Sequence, residues 1–159
     1  MSQRPLLHVT IVTAQQTVFD GEAEEVIAPG GEGQLGILPR HAPLLTTLAL
    51  GELRVRQHGV DEGIFVAGGF LEVNNNVVTI LADDAERGSE IDEAQAQAAR
   101  DRAQALLARG GLGSEVEAAA AAELERAIGR LRVAELQRAR HGPRARPRQP
   151  QPGQGQQEL

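Results

Sequence analysis

The hydrophobic periodicity of this chain changes once, just past Asp83-Asp84, and that change limits the folds open to it. Before it, apolar residues recur at every second position, the period of a half-buried strand. Leu7-His-Val-Thr-Ile-Val12 sets Leu7, Val9 and Ile11 against His8, Thr10 and Val12, and Glu52 to Gln57 turns Leu53 and Val55 inward and Arg54 and Arg56 outward. Further strands are expected over Thr17 to Asp20 and Glu24 to Ala28, with a turn around Asp20-Gly21, and over Leu44 to Leu50. Gly63 to Ala67 and Phe70 to Val73 read as two strands separated by Gly68-Gly69, with Val77 to Leu81 as the last. Asn74-Asn-Asn76 is a turn, because asparagine tolerates the left-handed region and bonds its own backbone. About nine or ten short strands at this spacing predict an antiparallel β-sandwich or flattened barrel.

After the change the pattern is helical. Ser89-Glu-Ile-Asp92 offers a helix start with acids where the helix dipole favours them, and good helix formers run from there to Arg109. Gly110 to Gly113 stops that helix, and Ser114 with Glu117 reads as a capping box opening a second one that continues to about Arg140. Ala120, Leu124, Ala127, Ile128, Leu131 and Ala134 share one face, so the two helices form an antiparallel hairpin. Asp83-Asp84-x-Glu86 lacks the loop of a calcium site and reads as a solvated turn into the first helix. The expected domains are a sandwich over 1–88, a helical hairpin over 89–140, and a disordered tail rich in Arg, Pro and Gln over 141–159.

An alanine seam holds less than a leucine seam of equal length, since each buried CH2 contributes only about 0.8 kcal/mol. The helices are therefore expected to be stable as helices, yet weakly held to each other and to the sandwich. A two-position switch needs that property, and a plain stabilising hairpin accounts for the pattern equally well.

Composition removes most chemistry. The chain has no lysine and no cysteine, which excludes Walker-A phosphate binding, Schiff bases, disulfides and thiolate metal sites. Its three serines lie outside any nucleophile elbow, and its four histidines lack metal-ligand spacing. No catalytic set emerges. Residues 1–90 carry five arginines against thirteen acids, which argues against nucleic-acid binding, whereas 138–159 carry five arginines against one acid. No apolar run approaches the roughly 20 residues of a membrane helix, and no secretory signal is apparent, so a cytoplasmic location is expected.

Gly30 to Leu44 holds four glycines and two prolines in fifteen positions, interleaved with Leu35, Ile37, Leu38 and Leu44. That mixture describes short strands and tight turns forming a defined surface. A phosphate-loop reading fails for want of Gly-Lys-Ser/Thr.

Several segments, in order, resemble the epsilon subunits of the bacterial rotary proton-translocating ATP synthase. They are Leu7 to Ala14, Glu32-Gly-Gln-Leu-Gly-Ile-Leu-Pro39 with His41-Ala-Pro-Leu-Leu-Thr46, Ala67-Gly-Gly-Phe-Leu-Glu-Val73, Val78 to Asp83, and Arg130-Leu-Arg-Val-Ala-Glu-Leu136. The resemblance spans roughly residues 5–138. It implies a non-catalytic central-stalk subunit on the cytoplasmic face of the bacterial inner membrane. The sandwich would bind the gamma subunit and rest on the membrane c-ring, coupling proton flow to ATP synthesis. The hairpin would hinder ATP hydrolysis when extended toward the alpha and beta subunits. By position, Gln34, Arg40 and His41 match the c-ring contact region, with Gln34 where many relatives have glutamate and Arg40 where many have glycine. Some relatives bind ATP in the hairpin. Here Ile91, Asp92, Arg102, Arg126 and Arg130 match that signature, but Gln95 replaces an arginine, which implies weak or absent ATP binding and no required cofactor. A nucleotide-sensing binding module is the alternative reading.

Overall fold

A computed structural model describes residues 3–142. Eight strands come first: β1 (Leu7–Val12), β2 (Thr17–Ala23), β3 (Glu25–Gly30), β4 (Gly33–Ile37), β5 (Leu44–Thr47), β6 (Gly51–Gln57), β7 (Val60–Asn74) and β8 (Val77–Arg87). A 3-10 turn, Gly88–Glu90, leads to α1 (Glu93–Arg109) and α2 (Ser114–His141). The strands hydrogen-bond in the order β2-β1-β8-β7-β6-β3-β4, with β5 added on β7. Every pairing is antiparallel except β1 on β8, where the first strand lies parallel to the last.

Alternation marks the core well. Leu7, Val9, Ile11, Leu53, Val55, Leu71, Val78 and Ile80 are all fully buried in one cluster, and Ile80 lies between Leu71 of β7 and Ile11 of β1. Two-residue hairpins close at His58-Gly59 and Asn75-Asn76, each with both φ values positive, the geometry that matches strand twist.

The structure has fewer and longer strands than the nine or ten expected. Gly68-Gly69 does not break the chain into separate strands; β7 runs through them in one register with β8, from Ala67↔Asp84 to Gly69↔Ala82, with only Gly68 and Asp83 left out of the ladder. Both glycines have positive φ, and a Cβ on Gly69 would collide with the Leu81 carbonyl. Asp83 and Asp84 lie opposite this point. They are not a solvated turn but belong to β8, where both are exposed between buried Ala82 and Ala85. Asp20-Gly21 likewise belongs to β2, with the break at Glu24 instead.

The hairpin forms with different ends. Asp92 is the N-cap of α1, its Oδ1 accepting from the Gln95 N–H at 3.0 Å. The capping box at Ser114 does not form: Gly113 occupies the cap position, its carbonyl accepting from Glu117 N–H, and Ser114 is the first helical residue. Ala96 and Ala103 of α1 and Ala120, Ala127 and Ala134 of α2 are buried at heptad spacing, while Leu124 and Leu131 are half-buried and Ile128 is exposed. His141 is still helical; the expected tail lies outside the described residues from 143 onward.

Candidate functional site

Leu38-Pro39-Arg40-His41 is a tight turn closed by the His41 N–H donating to the Leu38 carbonyl at 3.1 Å. Proline presets the first central position, and Arg40 takes the second at φ 69°, where glycine is favoured. The Arg40 N–H donates to Asn76 Oδ1 at 2.6 Å, and the Asn76 carbonyl accepts from His8 N–H at 2.8 Å, so one asparagine ties this turn to the β7–β8 hairpin and to β1. His41 Nδ1 lies 2.7 Å from the Ala42 carbonyl. A carbonyl can only accept, so Nδ1 carries the proton and Nε2 is left for a partner. Arg40 and His41 therefore share one turn. Gln34 does not join them: it is exposed near the other end of β4, beside a groove that β4 shares with Leu50, Arg54 and α2.

The hairpin residues are engaged within the chain. Asp92 caps α1, and Ile91 packs on the cluster of Phe65, Ala67 and Val133. The Arg130 guanidinium donates to both oxygens of Glu86 at 2.9 and 3.3 Å, and Arg102 pairs loosely with Glu123 at 3.9 Å across the two helices. Arg126 is exposed.

Two features escaped the sequence reading. The first is an apolar outer face on the sandwich. Thr47, Phe70 and Leu81 stand opposite one another on β5, β7 and β8, with Leu45 one pair along, and Leu45, Phe70 and Leu81 are 70%, 55% and 54% exposed. Three adjacent apolar pairs, Leu44-Leu45, Phe70-Leu71 and Ile80-Leu81, carried the signal, because neighbouring strand residues face opposite ways and two in succession make both faces apolar.

The second is the seam between α2 and the sheet, which is more polar and more specific than an alanine face suggests. The Arg140 guanidinium binds both oxygens of Glu52, and the Gly63 N–H donates to Gln137 Oε1 at 2.7 Å, where β8 has already left β7. Gln137 is the one buried polar side chain among the described residues. The alanine pattern did not show this polar seat, which includes two bidentate ion pairs and a buried amide contact. Beside it, Arg56 binds Asp61 through Nε at 2.7 Å and Nη2 at 3.2 Å. That hydrogen bond, with the charges of Arg56, Arg54 and Arg140, holds the Asp61 carboxyl below the usual aspartate range against the opposing effect of burial.

Residues 6–88 match the family described as ATP synthase, Delta/Epsilon chain, beta-sandwich domain, and residues 89–135 match its long alpha-helix domain. An ATP synthase epsilon chain from Acidithiobacillus ferridurans is 49% identical over 128 residues, covering 80% of this chain and 89% of that one. The chain belongs to the ATP synthase epsilon-chain family. As an epsilon chain it is a non-catalytic component of the ATP synthase central stalk. The fold recurs in a chain of the Euglena gracilis mitochondrial ATP synthase OSCP/F1/c-ring assembly in rotational state 1, with a TM-score of 0.69, 24% identity, and 85% of this chain and 84% of that one covered. It also recurs in the central stalk and c-ring structure of the Tetrahymena thermophila mitochondrial ATP synthase, with a TM-score of 0.54, 17% identity, and 84% and 99% covered. No helix among the described residues is long and apolar enough to cross a membrane.

Proposed function

We propose that this epsilon chain couples proton-driven rotation to ATP synthesis from the cytoplasmic face of the bacterial inner membrane, and that its hairpin restrains ATP hydrolysis by leaving the sandwich. The observation that carries the reading is the division of surfaces. The sandwich keeps an apolar outer face at Leu45, Phe70 and Leu81, while the hairpin meets the sheet through the C-terminal half of α2. The apolar face suits the gamma subunit, since a contiguous exposed patch on a sheet marks a docking surface. The Arg40–His41 turn, with Gln34 further along β4, suits the c-ring loops. The hairpin, seated along one face of α2, is free to extend toward the alpha and beta subunits.

ATP binding by the isolated chain is weak or absent in this reading. Gln95 lacks the guanidinium of the ATP-binding signature, Asp92 is committed to capping and Arg130 to Glu86. Micromolar affinity by calorimetry would refute that and favour the nucleotide-sensing module. The regulatory claim is tested on the assembled complex by comparing ATP hydrolysis with and without residues 91–159. Faster hydrolysis without them is expected, and an unchanged rate would leave coupling as the only role. Cysteine crosslinking from positions 34, 40 and 41 in assembled complex tests the ring contact; no adduct with the ring subunit would remove it.

A further inference from the structure

The contacts that seat α2 recur at positions 130, 133, 137 and 140, a single stripe along the helix. Val133 covers Phe65 and Ala67, and this is the apolar portion of the seat. The rest is charge and hydrogen bonding between side chains that are partly buried: Arg130 and Glu86 are 17% and 29% exposed, Arg140 and Glu52 are 23% and 13%. Two glycines make the seat single-valued. A Cβ on Gly129 would lie 2.8 Å from Leu50 and 2.9 Å from Phe65, and one on Gly63 would lie 2.7 Å from Glu52 and 3.0 Å from Arg140. A slide of one turn, about 5.4 Å, would take both guanidinium groups off their carboxylates.

We propose that Arg130–Glu86, Arg140–Glu52 and the Gln137–Gly63 hydrogen bond are an ionic latch whose opening sets the fraction of chains with the hairpin off the sandwich. Phe65 gives α2 a place to sit, and the polar contacts decide whether it stays. Apolar surface uncovered by release remains unfavourable in water, whereas the latch groups regain hydration when they separate. Gly63 N–H also reaches water, since β8 no longer pairs with β7 there. Release is thereby sensitive to charge, and needs no bound ligand. This inference rests on the preceding reading that the hairpin leaves the sandwich.

The absence of cysteine allows clean labelling of the full chain with a dye pair on V60C and A139C, two exposed positions that line the same groove in the docked form. Single-molecule energy transfer then reads the docked fraction, with far-UV circular dichroism confirming that the helices persist. R130Q/R140Q is expected to lower the docked-to-released ratio roughly tenfold, each pair accounting for about threefold. R130E should open the hairpin further, and the exchanged pair R130E/E86R should restore docking. An unchanged ratio in R130Q/R140Q, with release produced by F65A, would overturn the latch and keep the mobile hairpin. A docked distance that survives R130Q/R140Q and F65A together would overturn the mobile hairpin and the latch with it. An exchanged pair as open as R130E would show that Arg130 does not act through Glu86.

Discussion

The interior of the sandwich and the seam under α2 each bury one element against another, with opposite chemistry. Inside the sandwich, Leu7, Ile11, Leu71 and Ile80 are fully buried aliphatics with no polar partner to choose. Under α2, Phe65 and Val133 are flanked by Arg130, Gln137 and Arg140, each with a specified acceptor or donor. Aliphatic burial is strong and indifferent to direction, so it suits a body that never opens. A charge pair is weaker and narrower in its geometric demands, and water replaces its partner readily, so it suits a surface that separates and meets again. Between the helices themselves the seam is alanine, close-packed and low in energy.

The largest test of this contrast is Ile80→Ala. Its side chain lies between Ile11 and Leu71, so the substitution should cost the sandwich about 2–5 kcal/mol, read as a lower urea midpoint, while helix content is retained. Gly129→Ala divides the two regions the other way. It should favour the isolated helix by about 1 kcal/mol, yet the new methyl meets Leu50 and Phe65, so docking should lose about 1–3 kcal/mol. Helicity by circular dichroism should hold or rise while protease access to β7 increases. Asp92→Ala removes the α1 cap and should cost the hairpin about 1 kcal/mol, seen as earlier loss of helical signal on heating with the sandwich transition unmoved. Arg40→Gly relieves a left-handed residue and should raise sandwich stability by about 0.5–1 kcal/mol.

The smallest effect concerns pH. Asp61 titrates below the ordinary aspartate range in the folded chain, so the stability it contributes is present above that range and is lost as pH falls through the folded pKa. Asp61→Asn should remove that contribution, making the drop in urea midpoint between about pH 6 and pH 3 shallower than in the parent, by on the order of 1 kcal/mol or less. A drop of equal steepness would show that the Arg56–Asp61 pair adds nothing.

What the sequence revealed follows from how local each signal is. Strand faces at Leu7–Val9–Ile11 and Leu53–Val55, the asparagine turn and the alanine faces were all legible, because each is written within a few residues. The Asp83–Glu86 segment was misread because Asp83 and Asp84, neighbours on β8, are both exposed, which breaks the alternation that marks a strand. At Ser114 the capping pattern was present, but the helix begins one residue earlier than it implies. Of the candidate site, the turn that pairs Arg40 with His41 was legible through its proline, whereas its tie to Asn76 was not. The latch was invisible for the same reason: Arg140 and Glu52 are 88 residues apart, and no local pattern distinguishes these arginines from others on the helix.

The parallel pairing of β1 with β8 has a consequence in time. His8 has its place opposite Val77, so the first strand to be synthesised waits for the last before its inner edge is covered. At about 5–20 residues per second that wait is roughly 4–14 s, during which β1 and β2 form a hairpin with one edge open to other chains. Glu86 and Gly88 follow almost at once. The residues that seat α2 are thus all made before Arg130, and the hairpin docks on a body whose strands precede it along the chain.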